Sequence, residues 1–300
     1  MIALVEQVLA STMILTTPIL LAAIGGLVNR QGGIVNIALE AKMIAGAFIA
    51  VIACAATGSW LAGVGAAAIA GAFVGWLFSL AITRARANMI IAGLGLNVLI
   101  AGLVGLTMSV AYGTSGTLRL EGVELLPKVL PETVETVPVI GRALAALDPL
   151  TVFAWAVVAV LPFLLANTRL GLRLRAAGNA PQVARAMGLR AKALQDFGTT
   201  FAGLFSGLAG AHLALASLGL FNEGLTAGRG FIALAAFYFA RNHPVGTALV
   251  CLLFGFLDAS QIRLQTAGLP PTLIGTLPYV MVIVGLVITA LNIRRRQATA

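Results

Sequence analysis

Polar side chains are scarce in this chain, and the few present gather where their types and spacing could handle a polar solute. The stretch GGIVNIALEAKM holds Asn36, Glu40 and Lys42 just after a glycine pair. Asn97 stands in an otherwise uncharged run. A second cluster, GLFNEGLTAGRG, carries Asn222, Glu223, Gly228, Arg229 and Gly230. Amides and carboxylates supply the donors and acceptors that hydroxyl groups and ring edges need. Asn36, Glu40, Asn97, Asn222 and Glu223 are therefore the candidate solute-contacting residues. A plainer alternative puts Glu40 at a solvated helix end, paired with Lys42 or Arg30. Likewise Glu223 is the nearest counter-charge to Arg229, and that pair could simply brace the backbone loosened by Gly228 and Gly230. His212 and Asp258 lie inside apolar runs, where ionisable groups are costly and usually face the bundle interior.

Other chemistry is excluded by what the sequence lacks. There is no G-x-x-x-x-G-K-[ST] loop, and the lysines are Lys42, Lys128 and Lys192, so the chain cannot cradle ATP phosphates in that way. No metal-ligand cluster, nucleophile elbow or paired-carboxylate site occurs, and no cofactor is expected. Cys54 and Cys251 sit in different apolar runs without C-x-x-C spacing and read as small buried hydrophobes. If ATP drives anything here, another chain supplies it.

The elements that must position these residues are membrane helices. Of 300 residues, 60% are hydrophobic and 10% charged, with a net charge of +9, a composition outside that of soluble domains. The basic residues cluster at the edges of apolar runs without interleaved aromatics, which argues against nucleic acid. With Glu6 and no early Lys or Arg, the N-terminus lacks a signal peptide's basic region. Uncharged runs at Gln7–Asn29, Met43–Thr83 (long enough for two spans, turning at Thr57-Gly58-Ser59), Asn88–Ala111, Pro149–Thr168, Phe197–Leu218, Val245–Ile262 and Thr272–Asn292 are expected to cross a bilayer, and Arg294–Arg296 closes the last. The fold class is thus all-α and polytopic. Residues 1–300 are expected to form a single transmembrane domain with about nine crossings.

Roughly three in four of the Lys and Arg residues fall inside when the N-terminus is outside and the C-terminus cytoplasmic. The hydrophilic segment 112–148 is then extracytoplasmic. Phe231–Ala240 covers only about 15 Å at 1.5 Å per residue and reads as a half-helix, its positive end aimed at mid-membrane. Small residues recur every four positions at Gly63, Ala67, Gly71 and Gly75, and at Ala202, Ser206 and Gly210 beside Gly203 and Gly207. They let helices approach closely in lipid, within one chain or across a pair.

Residues 167–196 hold Arg169, Arg173, Arg175, Arg185, Arg190 and Lys192, nearly a third of the 19 basic residues, and form the expected cytoplasmic loop. Inside it Pro181 suits a first helical position and Gly188 a left-handed stop. Val183 and Met187, four apart, share one face, with Arg185 turned away. A helix this short is marginal alone in water and holds its shape best when docked.

Three motifs carry a resemblance. TRLGLRLRAAGNAPQVARAMGL is similar to T-R-x-G-L-R-L-R-A-x-G followed by a short helix and G-[IL]. GGIVNIALEAKM is similar to G-x-V-N-I-G-L-E-G-x-M, departing at Ala38, Ala41 and Lys42. GLFNEGLTAGRGFIALAAFYFARNHPVG is similar to F-x-E-x-x-T-A-G-R-G-F-I-A-L-A-A-x-x-F-G-R-x-x-P-x-G. The chain resembles the permease subunits of ABC importers, in the branch serving nucleosides and simple sugars.

The resemblance implies a non-enzymatic transport subunit of the bacterial inner membrane. It also implies a second homologous permease as partner, separate ATPase subunits and an extracytoplasmic binding protein. In that family Ala180–Met187 would be the coupling helix in a cleft of the ATPase, with Ala180, Pro181, Val183, Ala184, Met187 and Gly188 as docking residues. Nucleosides are favoured over pentoses or branched-chain amino acids because the first motif reads V-N-I-x-L-E. The alternatives are an ion-coupled secondary transporter with Glu40, His212 or Asp258 as proton site, and a purely structural membrane subunit.

Overall fold

A computed structural model of the chain describes residues 2–131 and 141–266, together with residue 280. The expected span Thr272–Asn292 and the stop Arg294–Arg296 lie outside the described residues. Among the described residues six helices are long and apolar enough to cross a membrane. They are α1 (Ile2–Gln31), α2 (Leu39–Thr57), α3 (Trp60–Thr83), α4 (Met89–Tyr112), α6 (Pro149–Asn167) and α11 (Pro244–Thr266). A seventh long helix, α9 (Ala191–Leu215), runs through the core and is buried along most of one face. The short helices are α5 (Gly141–Ala145), α7 (Arg169–Asn179), α8 (Pro181–Ala186) and α10 (Arg229–Phe239). Two-residue strands β1 (Thr117–Leu118) and β2 (Phe221–Asn222) pair antiparallel.

Local sequence explains the boundaries. Gly58, at φ +65°, ends α2 by donating its N–H to the Cys54 carbonyl, and α3 starts two residues later. The turn expected at Thr57-Gly58-Ser59 is where the chain turns. Asn88 caps α4 by accepting from the N–H groups of Ile90 and Ile91. Asp148 caps α6, with Pro149 at its first position. These caps answer backbone donors that a helix start leaves open.

Two boundaries differ from the sequence reading. Residues 30–42 were expected as a glycine-broken stretch ahead of a span starting at Met43, yet α2 begins at Leu39 and takes Glu40 and Lys42 into its first turn, both buried. The basic segment 167–196 is not a loop around one short helix. Thr168 caps α7, which buries Gly171, Leu174 and Ala177, while Arg173 and Arg175 stand between those positions in the sequence. α9 then begins at Ala191, ahead of the expected Phe197.

The small-residue stripes pack within the chain. Gly71 and Gly75 of α3 face Gly203, Gly207 and Thr199 of α9, where an added Cβ would meet backbone on both sides. Gly46 of α2 faces Gly207, and Gly210 faces Met43 and Ala47. Backbone contact this close is available only to glycine, and it joins α2, α3 and α9 into one tightly packed unit.

The helix ends collect on two faces. On one, the Gln31 amide reaches the Asn242 carbonyl, Gly33 lies against Gly178, and Arg84 pairs with Asp196. On the other, β1 meets β2, Glu124 accepts from the Trp60 N–H, and Leu126 donates to the Leu215 carbonyl.

Candidate functional site: a short helix capped from a neighbouring helix, and a second short helix left exposed

α10 has 11 residues, about 16 Å at 1.5 Å per residue, so it is the half-helix that the sequence indicates. Its first residue, Arg229, follows Gly228 at φ +74°, and no side chain of its own segment caps it. The cap comes from α2. The Glu40 carboxylate accepts from Gly228 N–H at 2.9 Å and from Gly230 N–H at 2.7 Å. A Cβ on Gly230 would sit 2.6 Å from the Glu40 nitrogen and 2.7 Å from its Oε2, so only glycine fits this approach. An anion on a helix N-terminus also meets the positive end of the dipole. Glu40 is therefore paired with neither Lys42 nor Arg30. The expectation of a solvated helix end fails because the chain folds α10 onto it.

Asn97 of α4 clamps the same place. Its Oδ1 accepts from the Ala41 N–H at 2.9 Å, and its Nδ2 donates to the Ile37 carbonyl at 3.2 Å. Lys42 is fully buried; its ammonium donates to Asn36 Oδ1 at 2.7 Å and lies 4.7 Å from the centre of the Phe78 ring. Asn36 Nδ2 is buried without a partner among the described residues. The start of α2 thus brings together Asn36, Glu40 and Asn97, the last two engaged in holding backbone.

Asn222 and Glu223 lie elsewhere, at the β1–β2 end. Asn222 donates to Thr117 Oγ1 and accepts from the Gly224 N–H. Glu223 exchanges bonds with Gly116. The two sets are joined along α4, where Asn97 serves one and a Cβ added at Gly105 would lie 3.5 Å from Glu223 Oε1, and along α2, whose Phe48 packs on Phe221 of β2. The expected Glu223–Arg229 pairing is absent. Arg229 instead approaches Asp258 of α11 at 3.6 Å and donates to the Leu225 carbonyl. Glu223 is pinned to the strand pair, while Arg229, opening α10, is packed beside α11.

A network that sequence reasoning missed joins His212 to Asp148 at 2.9 Å, Asp148 to Thr151, and Thr151 to Thr17 of α1 at 2.8 Å. Burial would push the Asp148 carboxyl up, but its bonds to His212 and Thr151 and the nearby imidazole more than offset that and hold it below the usual value. Asp-Pro-x-Thr is a helix-start signature and was the available signal. Among the described residues no group of three or more His, Cys, Asp and Glu side chains could hold a metal ion.

α8 is the helix expected between Pro181 and Gly188. Pro181 opens it, Ala184 is its buried residue, Met187 is its C-cap, and Gly188 takes φ +78°. Ala180 precedes it at φ −143° and ψ +73°, outside the helical region. Val183 and Met187 are 59% and 77% exposed, an apolar pair left outside the fold. Arg185 lines a cavity of about 270 Å³ with Ile34, Met89 and Lys192.

Helices of membrane length, a short apolar helix packed among them and a small exposed helix on the basic face are the marks of a polytopic membrane protein. Residues 8–291 match the family described as branched-chain amino acid transport system / permease component, and the chain belongs to that family. It is 33% identical to the nucleoside ABC transporter permease protein NupC of Lactococcus lactis over 93% of this chain and 90% of that one. It is 31% identical to the guanosine ABC transporter permease protein NupQ of Bacillus subtilis over 85% and 82%. A putative glucose ABC transporter permease protein, TsgC13 of Haloferax volcanii, is 30% identical over 87% and 78%. No solved structure matches the chain. The chain is thus a multi-pass cell-membrane permease subunit of an ABC importer, a transport component and not an enzyme. The family implies ATPase and substrate-binding partners.

Proposed function

We propose that this subunit forms, with a second homologous permease, the pathway by which a nucleoside enters the cell. The observation that carries the substrate class is the similarity, along most of the chain, to permeases named for nucleosides and guanosine. Residues 1–300 act as one domain crossing the membrane about nine times. Arg84, Arg86, Arg185, Arg190, Lys192 and Arg241 are on the side of Gln31 and Asn242, which supports a cytoplasmic position for that face. Segment 112–148 is then external, and 167–196 is the cytoplasmic coupling segment.

Solute passes along α4, between the level of Asn36, Glu40 and Asn97 and the level of Asn222 and Glu223. The exposed flank of α4, with Ile91, Val98 and Val110 more than 70% exposed, faces lipid or the second permease. Ala180, Pro181, Val183, Ala184, Met187 and Gly188 form the contact with the ATPase, and Gly228, Arg229 and Gly230 set the half-helix. An ion-coupled mechanism finds little support, because Glu40, His212 and Asp258 each hold an intramolecular partner.

The test is mass spectrometry of the ligand carried by the cognate binding protein, together with uptake of radiolabelled guanosine, adenosine, uridine and glucose. A sugar on the binding protein with glucose-only uptake would overturn the nucleoside reading.

A further inference from the structure

We propose that Asp196 is the positioning residue that transmits movement of α8 to the buried Asn36–Lys42 pair. The inference rests on the reading that α8 meets the ATPase, and extends it by one mechanical joint. A stroke delivered at α8 must cross to the membrane helices through contacts that move together. The link from α8 to α9 is a short, hydrogen-bonded turn. Gly188 donates to the Arg185 carbonyl, Leu189 to Ala184, and Ala191 to Leu189. Such a turn has little slack, so displacement of α8 displaces the first turns of α9.

Asp196 lies in the second turn of α9, and its carboxylate gathers the end of α3. Oδ1 accepts from Ser79 Oγ at 2.5 Å and Thr83 Oγ1 at 2.9 Å, and Oδ2 meets Arg84 at 3.2 Å. Ser79 is fully buried and Thr83 nearly so. Hydrogen bonds to a charged acceptor are the strong kind, and two of these three are shielded from water. Arg84, 59% exposed, contributes little by comparison.

Phe78 precedes Ser79 and forms the face over the Lys42 ammonium, packed with Ile34. Among the described residues the Lys42 terminal nitrogen has Asn36 as its one hydrogen-bond acceptor. Any shift of the α3 end therefore alters the cover over that buried pair and changes the cost of holding its amine away from water. α8, the α9 start, Asp196, the α3 end, Phe78 and Lys42 make a contiguous series in which Asp196 is the only side-chain clasp between α9 and the last turn of α3 among the described residues.

The experiment uses the full importer, reconstituted with its native partner subunits in lipid vesicles. ATP hydrolysed per solute imported is measured with guanosine, or with glucose if the binding protein carries sugar. Asp196→Ala is expected to raise that ratio about tenfold, within the usual range of coupling effects. ATPase co-purification and the solute concentration for half-maximal import stay at wild-type values. The double variant Ser79→Ala/Thr83→Val keeps the charge, removes the buried donors, and is expected to uncouple similarly; it decides the matter if Asp196→Ala fails to fold. Arg84→Ala stays near wild type. An unchanged ratio in both clasp variants overturns the proposal, as does a loss of melting temperature alone, or loss of the ATPase. Val183→Asp run in parallel separates the two ideas: if it retains ATPase and transport, the docking reading fails whatever Asp196 does.

Discussion

Glu40→Gln tests the half-helix most directly. The carboxylate offers one oxygen to Gly228 N–H and the other to Gly230 N–H. Glutamine keeps the shape but replaces one oxygen with NH2, so one buried backbone donor loses its acceptor, at about 1–3 kcal/mol. Loss of the negative charge at the α10 N-terminus adds about 0.3–2 kcal/mol. Together these come to about 1.3–5 kcal/mol, roughly a 10- to 4,000-fold shift in the local opening equilibrium. Lipid surroundings add to the penalty, since no bulk water replaces the missing partner. The readout is hydrogen exchange of amides 228–232 in lipid nanodiscs, with import measured in parallel. Exchange should accelerate at the α10 start, and import should fall while the ATPase still co-purifies. Glu40→Asp, one methylene shorter, should reach only one donor and fall between. Wild-type exchange and import in Glu40→Gln would refute the assignment of Glu40 as the cap that holds α10.

Other outcomes follow from single contacts. Val183→Asp should abolish import and release the ATPase with normal insertion, because an unpaired carboxylate buried in a docking cleft costs several kcal/mol even after relaxation; Arg185→Ala should retain the ATPase, and co-purification checks both. Gly203→Val should prevent recovery of monodisperse protein in size-exclusion runs, since its Cβ would meet Gly71 backbone and lie 3.0 Å from Gly75 Cα. Gly95→Ala, with nothing within 4 Å of the new Cβ, should be as well behaved as wild type. Asp148 has a folded pKa below its ordinary 3.8. Its stabilising effect is therefore fully present above about pH 4 and lost as pH falls through the lower, folded value. Melting temperature from pH 7 to pH 3 should drop at the acid end in wild type and less so in Asp148→Asn.

What could be read in advance depended on whether the signal was local. The α2–α3 turn, the Pro181–Gly188 limits of α8 and the shortness of α10 are set by neighbouring residues, through φ > 0 at glycine, the fixed φ of proline and run length. α7 was missed because its stripe of Gly171, Leu174 and Ala177 is broken by arginines, so charge density hid a helix capped by Thr168. The fates of Glu40, Arg229 and His212 were not local at all. Glu40 and Gly228 are far apart in sequence, and nothing near Glu40 says that a broken helix will present bare N–H groups to it. Chemical type narrowed the candidates to ionisable groups in apolar runs; partner choice waited on the packing of α2, α10 and α11.

The same packing divides the chain into parts with different freedom. α2, α3 and α9 meet backbone to backbone through Gly46, Gly71, Gly75, Gly203, Gly207 and Gly210, and close-packed interfaces of this kind shift as units instead of deforming. α4 is held otherwise. Only Gly93, Ile100, Val104 and Met108 are buried along its length, and its polar attachments to the rest are the Asn97 clamp on Ile37 and Ala41. α10 packs on α1 and α11, and its polar suspension runs from Glu40 at its start and through Arg229 to Asp258 of α11. Both suspensions meet at the first turn of α2. A core that moves with α8 would therefore carry the anchor points of α4 and α10 with it: motion begun on the α8 face reaches them through Glu40 and Asn97, while the adjustment at the Asp196 clasp stays at the ends of α3 and α9, beyond the glycine contacts.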